Sequence, residues 1–350
     1  MSSEGVLVFD INDFDEAYPG HFTWDIKRFA ASIGILGWSK AFSDATIRDL
    51  IRIYARAYVE QIFIFSGTDL DHDFSLRIDT TQGFVRELLM NARLNTQLDL
   101  LDRFTYIDDS RERRLRLTPG VRNLDEEEKK QVESAFRAYL ATIPESKRFQ
   151  RASYQIKDIK ANVGFGIGSC GLPAYTLLLE GPTQALESDV VLSMKQANIA
   201  SPSRVVNDER IRSYFENHGH RTALSQRALQ DHHDPWLGYT SINGTGFVVS
   251  ELSPYTDDID WSEFKDSTDM EETLAYLGQA TAKIHCVSDE DVDNGVIEFQ
   301  VEDKVSEVLR GREHQFAEDI IDFGMTYSKS VFADHVLFVD AFREGLIPGV

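Results

Sequence analysis

The sequence predicts an α+β fold in which a small antiparallel β-lobe is inserted into a mainly helical lobe. Apolar residues recur at helical spacing through most of residues 24–140. Near residue 150 the pattern changes to short β-rich runs bounded by glycine and proline turns, and helical spacing returns from about residue 270. The expected divisions are a first helical part at 1–149, a β-rich part at 150–256 and a second helical part at 257–350.

Composition sets the outer bounds. With 350 residues and 42% hydrophobic content, the chain has enough apolar side chains for substantial cores. The net charge of -22 repels nucleic acid and anionic membranes, and repels phosphates unless local cations or a divalent metal intervene. No apolar run approaches the roughly eighteen residues that read as a membrane span, and "MSSEGVLVFD" lacks the basic start and apolar core of a signal peptide. A soluble, cytoplasmic protein with neither nucleic-acid nor membrane partners is expected. Cys170 and Cys286 are too few for a disulfide framework or a zinc site.

Element by element, residues 5–14 alternate as a strand and "YPGH" turns the chain. "WDIKRFAASIGILGW" reads as a buried helix. A second helix follows the capping residues Ser43 and Asp44, with Ile47, Leu50, Ile51, Tyr54, Tyr58 and Ile62 on one face. Residues 82–104 read as helix, as does "DEEEKKQVESAFRAYL", whose leading acids suit a helix start and a solvated face. Three strands follow in "SYQIKDIKANVGFGIGSCG", "LPAYTLLLEG" and "DVVLSMKQA". Next come a short helix at about 220–231, two more strands in "WLGYTSI" and "GFVVSEL", and helices at about 270–287 and 313–344.

"VGFGIGSCG" spaces glycines at Gly164, Gly166, Gly168 and Gly171. A dinucleotide-binding turn would lead into a helix, but here a strand follows. A glycine-rich turn between antiparallel strands is how kinase-like folds cover nucleotide phosphates; a bulged hairpin is the structural alternative. Along the next strand Ser193 and Lys195 share a face. This suits a small residue against adenine and a lysine for the α/β-phosphates, against the alternative of an edge charge. The helix after that lysine offers Gln226 where an acidic partner is expected, with Glu209 and Glu216 just upstream. "FVVSELSPY", through Glu251, fits the connector whose backbone would pair with adenine.

A lysine and a glycine hairpin require a metal-binding aspartate elsewhere. "VLVFDINDFDE" supplies four acids in seven positions: Asp10, Asp13, Asp15 and Glu16. Asp13-Phe14 resembles the metal-binding Asp-aromatic pair of aminoglycoside phosphotransferase-like kinases, with Gly20 and Trp24-Asp25 at matching intervals. The resemblance implies Mg²⁺ on Asp13, and Asp15 is expected either to assist the metal or to cap the turn. It also implies that Asp25 supports the catalytic loop through backbone hydrogen bonds and that His285, ending "LAYLGQATAKIH", is the histidine before that loop. Asp10 is expected either to line the site or to bond turn amides, and Glu16 to cap the turn. The order of these parts is rotated relative to kinases, so the expected fold is a circularly permuted, two-lobed kinase-like fold.

"VFDINDFDE…WDIKRFAAS", "GIGSCG…LLLEG", "RTALSQRALQ…WLGY" and "LGQATAKIH" together resemble the bacterial domain-of-unknown-function family 2252 across most of the chain. Its members carry a "Gly-Asp-Ala-His…Asn-Phe-Gly" stretch just before the first motif, similar to a catalytic loop. This sequence begins after it, and "HCVSDEDVDN", with Asp289 and Asn294, reads as a surface acidic loop instead. No catalytic residue is therefore assigned. His218, His220, His232 and His233 read as neutral or solvated histidines, with a metal site the alternative. The expected activity is an ATP- and Mg²⁺-dependent phosphotransferase acting on an unidentified small-molecule or protein acceptor. The alternatives are a nucleotide-binding pseudokinase or regulatory module, and an interaction protein whose glycines are structural.

Overall fold

The computed structural model describes residues 5–148, 154–163, 171–230, 233–290 and 297–347. Its helical body begins with α1 (Thr23–Ser39) and α2 (Asp44–Phe65). The Ser43 hydroxyl accepts from the Thr46 N–H, satisfying one of the amides that a helix start leaves open. The expected stripe on α2 is buried throughout. It faces α9 (Ser267–Cys286), and the largest core forms where α1, α2 and α9 meet α10 (Val301–Leu309) and α11 (Glu313–Arg343). At Gly278 the backbones of α9 and α2 come so close that a Cβ would lie 2.5 Å from the Tyr54 carbonyl oxygen.

The helix expected over 82–104 is two helices, α4 (Gly83–Ala92) and α5 (Gln97–Phe104), preceded by the single turn α3 (Leu70–Asp73). The break has a local cause. The Thr96 side chain accepts from the Asp99 N–H and starts a new helix. A short ribbon of β1 (Thr105–Ile107) and β2 (Arg113–Leu115) follows. The strand expected at 5–14 is also corrected: it is reduced to one bridge between Phe9 and Leu76, since no full neighbouring strand runs beside it.

Six strands form the main sheet, in the antiparallel order β3 (Val121–Arg122), β4 (Ile156–Asn162), β5 (Ala174–Leu179), β6 (Val190–Gln196), β8 (Thr245–Glu251), β7 (Gly238–Ile242). β3 comes from before residue 150, pairing Val121 with Asn162. One sheet face packs against α6 (Glu126–Tyr139), where Val132, Phe136 and Tyr139 join Leu177, Leu192 and Val249 in a second core. On the other face Thr176, Ser193 and Ser250 are paired side by side across three strands, and Ala174, Lys195 and Val248 form the next row. Between β6 and β7 run α7 (Glu209–Tyr214) and α8 (His218–Leu229). Gly219 lets α8 sit directly on β8, with space for a Cβ closed by the Phe247 carbonyl at 2.5 Å. Among the described residues no helix is long and apolar enough to cross a membrane.

Candidate functional site

The acid-rich segment at 10–17 lies between the helical body and the elements that follow β6, and it is tied to both. On the helical side, the Asp10 carboxylate accepts from Lys283 Nζ at 3.0 Å, in a pair with the lysine only 7% exposed. Asp10 also accepts from the Ile11 N–H, so the expectation of a turn-amide bond holds and a buried cation adds to it. On the sheet side, Gln230 Nε2 donates to the Ile11 carbonyl at 2.7 Å. Arg221, on α8 and almost wholly buried, donates to the carbonyls of Asp15 (2.7 Å), Asn198 (3.0 Å) and Ala17. Glu16 accepts from the Ser201 N–H at 2.6 Å, so it caps the segment after β6 rather than its own turn. Two of these contacts end within six residues of Lys195, at Asn198 and Ser201. A buried planar guanidinium with five donors is suited to gathering carbonyls from several loops at once. Burial pulls the Arg221 guanidinium below its usual range, and the nearby Glu16, Asp15 and Tyr18 oppose that.

Within this clamp Asp13 adopts φ 69°, a left-handed conformation that aspartate tolerates better than most residues and that concentrates at functional sites. The turn buries Phe14 and leaves Asp13 and Asp15 facing outward. Asp15 keeps solvent access yet is flanked by protein. Its carboxyl is raised, first by desolvation and then by Asp13, while Lys195 and Arg221 pull it down and Glu16 raises it. The Asp15 carboxylate thus feels both the Asp13 anion and the Lys195 cation. Repulsion between neighbouring carboxylates is relieved by a divalent cation. Mg²⁺ is held by one or two carboxylates together with phosphate oxygens and water, so this donor pair fits it. Among the described residues no group of three or more His, Cys, Asp or Glu is arranged to hold a metal; the remaining ligands would have to come from a bound phosphate and water.

Ser193 is buried and Lys195 is exposed at the end of β6. Gly171 has φ 81° with open space where a Cβ would stand, while Gly164, Gly166 and Gly168 lie outside the described residues. Gln226, expected opposite the lysine, donates to Gln230 and so supports the tie to Ile11. Glu209 and Glu216 are exposed.

The Glu251 backbone N–H donates to Asp234 at 2.6 Å, and Glu251 pairs in register with the core residue Leu192. Burial first, and Asp234 second, push the Glu251 carboxyl up to about 7. An acid that stays protonated in the fold but ionises freely when unfolded loses stability as pH rises from its unfolded value toward its folded one. Glu251→Gln is therefore expected to flatten the fall in melting temperature between about pH 4.5 and 7, a difference on the order of 3 kcal/mol. Scanning calorimetry across that window measures it.

The Asp25 carboxylate lies 3.2 Å from Nε2 of His285, and the Nδ1 of His285 faces the Tyr58 hydroxyl at 3.0 Å. His218 and His220 are half-buried, burial lowers both, and His220 stacks on Tyr239 at 4.6 Å. These are packed, neutral histidines; His233 is also half-buried, and His232 lies outside the described residues. Asp289, expected on a surface loop, is fully buried near Glu302 and Cys286. Asn294 lies outside the described residues. Sequence reasoning missed Arg221 and Lys283. The signal available for each was a cation set among residues otherwise destined for the interior: Thr222 and Ala223 beside Arg221, Ala282 and Ile284 beside Lys283.

No curated protein and no solved structure matches the chain. The family model described as an uncharacterized protein conserved in bacteria, domain of unknown function 2252, matches residues 1–341. Covering nearly the whole chain, that match places the protein in the bacterial domain-of-unknown-function 2252 family.

Proposed function

We propose that this protein is a kinase-like, ATP- and Mg²⁺-dependent phosphotransferase acting on a small-molecule or protein acceptor. It has two lobes in circularly permuted order: the two ends of the chain form the helical lobe, and 150–256, joined by β3 and α6, form the nucleotide-binding lobe. The reading is carried by one observation. Asp15 lies within electrostatic reach of both Asp13 and Lys195, on a loop that Arg221 fastens to the chain just beyond that lysine. A carboxylate pair and an ammonium that influence one another match the charge pattern of Mg²⁺ and phosphate, which the rest of this acidic surface would repel. The strand order supports it further. The hairpin strands β4 and β5, the lysine strand β6 and the connector strand β8 are consecutive neighbours. In this reading Asp13 and Asp15 hold Mg²⁺, Lys195 pairs with phosphates, and Gly164 to Gly171 cover them. Ser193 lies toward the base.

A nucleotide-binding regulatory module is the second reading. It is favoured by Gln226, whose amide is directed to Gln230 where an acid would hold the lysine. Millimolar Mg·ATP is expected to raise the melting temperature, as any ligand selective for the native state does. The shift should disappear in Lys195→Ala and in Asp13→Asn and shrink when EDTA replaces Mg²⁺. An unchanged shift in both variants would remove the nucleotide reading, and ADP release over hours separates the enzyme from the module.

A further inference from the structure

We propose that the C-terminal half of α11 is a self-association surface, and that its partner is a second copy of this chain paired antiparallel about a twofold axis near residues 336 and 337. The first half of α11 is packed. Phe316 stacks on Phe22, Gly324 and Ser328 lie against Gly34, and Phe332 meets Trp38 edge-on. These contacts advance together, so α1 and α11 run parallel. α1 ends at Ser39, and α11 runs on past Phe332 to Arg343, about 16 Å at the helical rise.

The buried positions of the first half are Ala317, Ile320, Ile321, Gly324, Met325 and Ser328. Continued at the same three- and four-residue steps, that face reaches Val331, Phe332, His335, Val339 and Phe342, with Val336 and Phe338 at its borders. The face that packs on α1 and α2 thus continues past Phe332, apolar except at His335, with Leu337, 68% exposed, lying off it. Phe332, Phe338 and Phe342 remain between 51% and 59% exposed and Val336 46%. Asp334, Asp340 and Glu344 lie on the opposite side of the helix. At ordinary side-chain areas the stripe leaves on the order of 450 Å² of apolar surface uncovered. That is at the upper end for a lone monomer, and about what the apolar part of one side of a standard interface requires.

A second copy suits this surface on two grounds. The stripe runs from Val331 to Phe342 and is centred near residues 336 and 337, so an antiparallel partner lays Phe332 near Phe342 of its mate and satisfies both stripes at once, as an isologous contact must. The net charge of -22 disfavours anionic membranes and nucleic acids. It also makes the two bodies repel, so association should tighten as salt screens them.

Sedimentation velocity of the full chain tests this. Wild type is expected to form a dimer between about 1 and 100 µM, more strongly at 0.5 M than at 0.1 M salt. Phe338→Asp with Phe342→Asp should weaken it at least tenfold while circular dichroism and any Mg·ATP melting shift stay as in wild type. Leu337→Asp, off the stripe, should leave the dimer intact. A wild type that stays monomeric at both salts would overturn the proposal, as would a dimer indifferent to the double substitution or assembly beyond a dimer. Co-sedimentation of wild type with phosphatidylcholine vesicles would reassign the stripe to lipid.

Discussion

Arg221→Ala is expected to lower the unfolding free energy by on the order of 3–5 kcal/mol, the range for leaving several buried groups without a charged donor. The guanidinium donates to the Asp15, Ala17 and Asn198 carbonyls. Alanine removes all three bonds and frees the loop that presents Asp13. The effect should be uneven across the molecule. Hydrogen exchange at the amides of residues 11–20 and 198–201 should accelerate far more than in α2, which belongs to the separate helical core. Arg221→Lys keeps the charge but loses the planar fork; it should fold with intermediate stability and a weakened response to Mg·ATP. A cost for Arg221→Ala below about 0.5 kcal/mol, typical of surface positions, would contradict this account of the clamp.

The second large effect is expected at Lys283. Lys283→Met leaves the Asp10 carboxylate beside an apolar neighbour with its cation gone, which should cost about 2–4 kcal/mol. Adding Asp10→Asn removes the stranded charge, so the double variant should recover at least half of that loss. Chemical denaturation of wild type, both single variants and the double variant closes the cycle. Strictly additive losses would mean that the 3.0 Å contact carries no coupling. The cycle matters for the site because Asp10 begins the same loop that ends at the Arg221 clamp.

The parts of this structure that could be read from sequence are those set by local pattern. α2 announces itself through an apolar stripe and the Ser43 cap, α6 through its capping aspartate and leading glutamates, and α11 is bounded within a residue of its expected ends. The hairpin strands and β6 were legible because turns bracket runs of β-formers. What escaped depends on contacts distant in sequence. β3 is two residues long and exists only because Asn162 lies opposite Val121. Residues 5–14 have the alternation of a strand but only Leu76 to bridge to. Asp289 reads as exposed because polarity is the sole local cue, and its burial follows from the packing of α9 and α10. For the candidate site, Asp13, Asp15 and Lys195 were identifiable by motif, and Asp10 by its cluster. The residues that hold them, Arg221 and Lys283, carry no motif because they act through backbone carbonyls and one buried carboxylate. Glu251 and Gln226 were placed by analogy of position, and their hydrogen bonds run to Asp234 and Gln230.

The central claim is that Asp13 and Lys195, far apart in the chain, bound one space for a metal-complexed phosphate. Crystals grown with Mn²⁺ and a non-hydrolysable ATP analogue test it most directly. The account predicts an anomalous Mn²⁺ peak coordinated by Asp13, with Asp15 beside it, and a phosphate oxygen within hydrogen-bonding distance of Lys195 Nζ. Nucleotide bound elsewhere, or a metal peak away from both carboxylates, would contradict it.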